Sequence, residues 1–373
     1  MIARNAEELL PTALDRFDGL VDEVAIVLGG ISSDNTPGVA AKYATLPVEP
    51  LAGKVDEDGR LMHFGDARQQ SFDILARAEI EYAFVVDTDD QWADLQNIQL
   101  TVDQLDRGGF GMALFPYTFD GGTFLQPRIY RISSGYWDGP CHNFWEFHNG
   151  DGVGLKSNLM SLEQVRAEGD GKSRRVQNVR ISQEWMAENG DNCRLLLHMA
   201  KDSLVDHEMS FAKDALDRYF VAYETDERQD PEELYNAHHV MAAILIQEED
   251  FAGSLFEALK ALSVRPHGQT WTLAAEAAGW MAHHSKSDRS LMSMALFCAD
   301  QALAVGRPRS NLHWHSDKLS GSLPLFLKAR ALCGLGRLRE ARGALDVALM
   351  IQPEYKDAQL LLRDISRQLG DLE

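Results

Sequence analysis

The chain has 373 residues, 45% hydrophobic and 25% charged, a composition that buries a core and excludes a disordered or collagen-like protein. Its length suits two or three domains of roughly 100 to 200 residues each. Fifty-seven acidic residues against 36 basic ones leave a formal charge of −21, which opposes indiscriminate binding to nucleic acid or to an anionic membrane.

In chain order, the first half alternates helix and strand signals. Glu7 to Phe17 carries apolar residues at helical spacing, and Glu23 to Leu28 is a short β-branched run ending in Gly29-Gly30. Ser32 to Pro37 supplies side-chain oxygens that cap a helix running through Val39, Ala40 and Tyr43. Asp66 to Ala78 is a second helix, and Tyr82 to Val86 a second buried strand that ends in Asp87-Thr88-Asp89-Asp90. Gly111 to Tyr117 and Arg128 to Ile132 are further strands. This alternation predicts an α/β fold with a mainly parallel sheet, whose ligands gather at the carboxyl ends of the strands.

After about Gly171 the strand signals stop. Cys193 to Tyr223 and Glu232 to Val264 show helical periodicity, and ALKALSVRP, ADQALAVGRP and ALDVALMIQP end helices at Pro266, Pro308 and Pro353, spaced 42 and 45 residues apart. That is the scale of a helical-hairpin array. The last unit places Ala341, Leu345, Ala348 and Pro353 at the small, bulky, small and proline positions of a tetratricopeptide repeat, which it resembles. Two domains are expected, residues 1–170 and residues 171–373, the second an all-α array of tetratricopeptide-like hairpins.

No apolar run approaches the roughly 20 residues needed to cross a bilayer, and the start has no basic segment followed by an apolar one, so a soluble cytosolic protein is expected. Cys141, Cys193, Cys298 and Cys333 are scattered without a CxxC, and they read as reduced, mostly buried thiols. Charge is unevenly placed. Through Asp170 there are 12 basic and 28 acidic residues, net −16, while Arg307 to Arg342 carries +6.

The most informative feature is the strand ending in Asp87-Thr88-Asp89. Two carboxylates flanking one residue can share a divalent ion whose other oxygens come from a diphosphate. Around it, four blocks in order make the first half resemble the family 2 glycosyltransferases of the GT-A type, in particular those with tetratricopeptide repeats after the catalytic domain. Met1 to Glu8, then VDEVAIV and SSDNT, are similar to the family's opening strand, Asn-Glu turn and Gly-Ser-x-Asp-x-Thr turn. His63 to Gln69 is similar to Phe-x-x-Ala-Arg-Asn, and Tyr82 to Trp92 to the strand carrying the metal-binding DxD. Pro127 to Arg131 with Trp137 to Asn143 resembles the Pro-Arg-Leu-Phe-Arg and Glu-Gly-x-x-His-Glu pair.

The resemblance implies a GT-A domain that transfers a sugar, with inversion, from a nucleotide-sugar donor, a UDP-sugar first. It implies a divalent metal, Mn²⁺ or Mg²⁺, on Asp87, Asp89 and His142, and donor contacts from Arg4, Asn5, Asp34, Arg68, Asp87, Arg128 and Arg131. Inversion needs a carboxylate base, for which Asp138 and Glu146 are the candidates. The guanidinium forks of Arg128 and Arg131 suit phosphate oxygens, though one of the pair can equally serve a structural ion pair. Helical arrays present concave surfaces suited to proteins, which favours a protein or peptide acceptor; a saccharide and, through the basic stretch, a modified nucleic acid stay open.

Several positions depart from the family pattern. Leu28 stands where a base-reading Asp is usual, Asn143 where Glu is frequent, and Gln69 where Asn is usual. These changes leave the donor base open and support an alternative, a catalytically degraded glycosyltransferase-like scaffold that binds a protein through its repeats. Gly171-Lys172-Ser173 fails the phosphate-loop spacing because position 166 is Arg. His238-His239, His283-His284 and His313-Trp314-His315 lack metal-ligand spacing and read as packing or surface residues.

Overall fold

A computed structural model of the chain describes residues 1–119, 122–148, 154–164, 170–286, 288–306 and 321–370. It divides into two compact units, Met1–Gly190 and Asp191–Glu373, one helix later than the expected boundary.

In the first unit, β1 (Ile2–Ala3), β2 (Val27–Leu28) and β3 (Glu49–Pro50) form a parallel three-stranded sheet. It is joined by α1 (Leu9–Leu14) and α2 (Thr36–Tyr43), whose Leu10, Leu14, Val39 and Ala40 bury against Ala3 and Ile26. Pro37 sits in the first turn of α2, where its missing N–H costs nothing. Only two residues of the apolar run from Glu23 become strand. Gly30, at φ +116°, turns the chain, and a Cβ there would lie 2.1 Å from the Gly59 carbonyl oxygen.

The larger sheet is mixed, which corrects the expectation of a mainly parallel one. Its order is β4 (Tyr82–Phe84), β7 (Gly122–Arg131), β6 (Met112–Phe119), β11 (Ser161–Gln164), β5 (Asp90–Ala93), with β10 (Gly154–Lys156) also on β6. β4 with β7, β7 with β6, and β11 with β5 are antiparallel, and β10 and β11 run parallel to β6. The two long strands β6 and β7 are consecutive and antiparallel, so no crossover helix is required between them. β8 (Gly135–Asp138) and β9 (Phe144–Phe147) make a separate hairpin.

Two helices complete the scaffold around the site. On α3 (Phe64–Arg77), the first N–H groups are satisfied by carbonyls of the β8–β9 turn, Phe64 N to Pro140 O at 2.6 Å and Gly65 N to Gly139 O at 3.1 Å. A Cβ on Gly65 would lie 2.5 Å from Gly139 O, so only glycine allows this approach. Phe72 then packs against Tyr130, Trp137 and Trp145 at ring separations of 5.1–5.8 Å. The other is α5 (Asp170–Asn189), which belongs to this unit and buries Ile181, Ser182 and Met186.

The second unit is entirely helical among the described residues. Its helices are α6 (Cys193–Val205), α7 (Met209–Tyr223), α8 (Pro231–Gln247), α9 (Phe251–Val264), α10 (Gly268–His284), α11 (Arg289–Val305), α12 (Ser322–Gly334), α13 (Leu338–Ile351) and α14 (Lys356–Leu369). α6 packs on α7, α8 on α9, α10 on α11 and α12 on α13, while α9–α10 and α11–α12 contacts join successive hairpins. Aspartates start several of them: Asp230, Asp250 and Asp288 accept from N–H groups of the first turn, which gives part of the acidic excess a structural use. Pro266 and Pro353 lie between helices as expected, whereas Pro308 and His313 to His315 fall outside the described residues.

Alanine dominates this core. Ala242, Ala258, Ala274, Ala277, Ala278 and Ala299 are buried where α8 to α11 meet, and side chains this small let backbones approach closely. Ala278→Leu is therefore expected to cost about 1–3 kcal/mol by overpacking, read from the denaturant midpoint. A neutral effect would show that the seam has room. The four cysteines are thiols, with burial pushing Cys193 up to about 12 and Cys298 to about 11, so neither supplies a thiolate nucleophile at neutral pH.

Candidate functional site

The residues after β4 turn inward. Asp90 is buried, its side chain fully so, and one oxygen accepts from the Asp87 N–H at 2.9 Å, closing the Asp87–Asp90 turn. Arg128, on β7 beside β4 and buried, reaches under this turn. Its Nη1 donates to Asp87 Oδ2 at 2.9 Å and its Nη2 to Asp90 Oδ1 at 3.2 Å. From α3, Arg68 Nη2 approaches Asp87 Oδ1 at 3.5 Å and its Nη1 donates to Asn143 Oδ1 at 3.3 Å, with the guanidinium over the Trp137 ring.

Burial alone would raise the Asp87 carboxyl; the Arg128 and Arg68 guanidiniums overcome it and hold the group well below the usual carboxylate range. Asp90 goes the other way. Burial pushes it up to about 7 despite Arg128, because the neighbouring Asp87 charge adds to the desolvation cost. Arg68, Asp87 and Arg128 are thus brought together by ion pairs, and Asp90 is the member that sequence reasoning missed. The run Asp87-Thr88-Asp89-Asp90 held the signal: in a four-residue turn the third carboxylate closes on the first N–H.

Asp89 and His142 each contact α5. Arg174 Nη1 donates to Asp89 Oδ2 at 3.2 Å, and Asn178 Nδ2 lies 3.4 Å from His142 Nε2. Arg174 and Asn178 are four residues apart, so they share one face of α5 and stand about 6 Å apart along its axis. Cys141 Sγ, 3.1 Å from Ser182 Oγ, continues the same contact one turn on. Sequence gave no hint that this helix covers the turn. Among the described residues no three His, Cys, Asp or Glu side chains converge as a ready metal-ligand set.

Arg4, Asn5 and Asp34 build the loops at the carboxyl ends of β1 and β2. Asn5 Oδ1 accepts from Ser33 N at 2.8 Å, Asp34 Oδ2 from Glu7 N at 3.1 Å, and Arg4 donates to the Ile31 and Asp58 carbonyls. The Thr36 hydroxyl bond comes first in holding the Asp34 carboxyl below its ordinary value. Arg131 takes the structural ion-pair place left open for one of the two arginines: it pairs with Glu81 and Asp106 and stacks on Tyr82, at the opposite end of β4 from Asp87, about 16 Å by strand rise. Five residues separate the two ends, and strand geometry keeps them apart. Asp138 and Glu146 lie on the β8–β9 hairpin. Trp137 and Trp145 are directly opposite each other and bury against Phe72, so alternation turns Asp138 and Glu146 to the other face.

His238 bonds Glu257 at 2.6 Å and His239 bonds Thr270 at 2.9 Å, both inside the helical unit, as packing residues do. Of the basic stretch, Arg307, Arg309 and Lys318 lie outside the described residues; Lys328 pairs with Asp300 and Arg337 with Glu340.

No family model matches this chain, and no curated protein is similar to it in sequence. Solved structures similar to part of it include tetratricopeptide-repeat proteins. The Arabidopsis OM64 TPR domain is 13% identical, covering 37% of this chain and 98% of its own at a TM-score of 0.31. The first TPR of Spaghetti (RPAP3) bound to an HSP90 peptide is 17% identical, covering 38% and 96% at 0.30. YrrB, a TPR protein with an unusual peptide-binding site, is 14% identical, covering 52% and 85% at 0.38. Scores this low carry no argument about function; the hairpin architecture rests on the helix pairs described above. No helix among the described residues is long and apolar enough to cross a membrane.

Proposed function

We propose that the first unit is a metal-dependent, inverting glycosyltransferase that uses a nucleotide-sugar, and that the helical unit holds a protein or peptide acceptor. The observation that carries this is the strand-end cluster of Asp87, Arg68 and Arg128 with Asp89 beside it. It joins carboxylates for a hard cation to guanidiniums for phosphate. Asn143 Nδ2, buried beside Arg68 without a hydrogen-bond partner among the described residues, is a further donor suited to a phosphate oxygen.

Asp89 is the carboxylate best suited to a cation, since Asp87 is already committed to two arginines and Asp89 is held by Arg174, which is itself 46% exposed. Mn²⁺ or Mg²⁺ bound there would share donor phosphate oxygens and neutralise a departing diphosphate, with His142 under the same helix face as a further ligand. Asp138, exposed at the end of β8 next to the N-terminus of α3, is favoured over Glu146 as the base. The test is consumption of UDP-, GDP- and dTDP-sugars with Mn²⁺ or Mg²⁺, using peptide, saccharide and DNA acceptors. Metal-dependent release of a nucleoside diphosphate supports the reading, and its absence with every donor overturns it.

A second reading is the degraded scaffold that binds a protein through its repeats. It is favoured by the neutralisation of Asp87 and Asp89 by Arg68, Arg128 and Arg174. A scaffold binds peptide and consumes no donor.

A further inference from the structure

The first half of α5 engages both residues that were given to the cation together with Asp87. Arg174 donates to Asp89 Oδ2 at 3.2 Å, and the Asn178 amide stands 3.4 Å from the His142 ring nitrogen Nε2. One helix face thus occupies both. A guanidinium and a divalent ion on one carboxylate stand within roughly 4–6 Å of each other, where like charges repel. The two positive charges therefore compete for Asp89.

The two halves of α5 are held differently. None of residues 172–180 is buried, and Val176 is 56% exposed, whereas Ile181, Ser182 and Met186 are buried in the second half. Arg180 pairs with Asp56 where the halves join. Before that point Gln177 Nε2 adds a bond to Leu61 O at 3.3 Å, so the Arg174, Gln177 and Asn178 contacts all lie at or beyond the long end of the hydrogen-bond range. A half without buried side chains, continuous with an anchored one, opens locally while the rest stays folded.

We propose that the first half of α5 is an autoinhibitory latch, in which Arg174 takes the place of the cation on Asp89 until a divalent ion and a nucleoside diphosphate displace it. This rests on the metal-dependent reading of Asp89 given above. The exchange favours the ion, which brings two charges and phosphate oxygens against one charge from a half-exposed side chain. Neutralisation of Asp89 is then reversible, unlike that of Asp87 by the buried Arg128. By reciprocity, whatever holds α5 down weakens metal binding by the same factor.

The test is calorimetric titration of the full chain with Mn²⁺ in the presence of uridine, guanosine or thymidine diphosphate. Arg174→Gln is expected to bind the metal at least about fivefold tighter than wild type. Adding Asp89→Ala should abolish that gain. Lys172→Gln removes the same charge from an exposed position two residues away, on another face of α5, and should leave the affinity unchanged. In wild type, metal and diphosphate should speed hydrogen exchange in residues 172–180 while residues 181–189 stay protected, a readout that needs no variant. Equal affinity in wild type and Arg174→Gln, the same gain from Lys172→Gln, or unchanged exchange in residues 172–180 would overturn the latch and leave the metal site standing. Absence of metal-dependent binding in every form, Arg174→Gln included, would remove both.

Discussion

Asp89→Ala is expected to lower metal-dependent donor turnover by a factor on the order of 10³, the scale at which removing one group that stabilises developing charge acts. Its effect on folding is read separately, because Asp89 is only 11% exposed and pairs with Arg174. Turnover and thermal melting on the same preparation separate the two. Equal turnover in variant and wild type would remove Asp89 from the chemistry, whereas a large drop in melting temperature would make its role structural.

Arg128→Met carries the largest expected cost in stability, about 3–5 kcal/mol. Arg128 is 2% exposed and bridges Asp87 and Asp90, and without it Asp90 is a buried carboxylate left with a single N–H. Asp90 escapes the charge by binding a proton, but the turn then loses two charge-assisted bonds. Adding Asp90→Asn should restore part of the loss, since an amide carries no charge to desolvate. Urea denaturation measures both, and a loss under about 1 kcal/mol for Arg128→Met would mean that the pair contributes little to holding the turn.

Local pattern revealed much of this architecture. α3 begins two residues before the expected Asp66 and ends one before Ala78, because His63 and the carbonyls of Gly139 and Pro140 cap it earlier than the periodicity implies. The helical half was legible from its prolines and small residues, since hairpin packing is mostly local in sequence. The mixed sheet was not, because alternation looks the same whether consecutive strands such as β6 and β7 pair antiparallel or parallel. At the site, Asp87 with Arg68 and Arg128 could be anticipated from chemistry. The contribution of Arg174 could not, as it comes from a helix 85 residues away whose register on the turn is set by Ile181, Ser182 and Met186. Arg131 shows which of the two arginines serves the structural ion pair. Three residues from Arg128, it follows the same strand to the opposite end of β4, where Glu81 and Asp106 claim it.

Calorimetric titration of the full chain with uridine, guanosine and thymidine diphosphates, with and without Mn²⁺, tests the central reading most directly. Binding of at least one of them that requires the metal and disappears in Asp89→Ala is the expected result. Absence of metal-dependent binding for all three would contradict a nucleotide-sugar site at Asp87–Asp90 and leave the scaffold reading in its place.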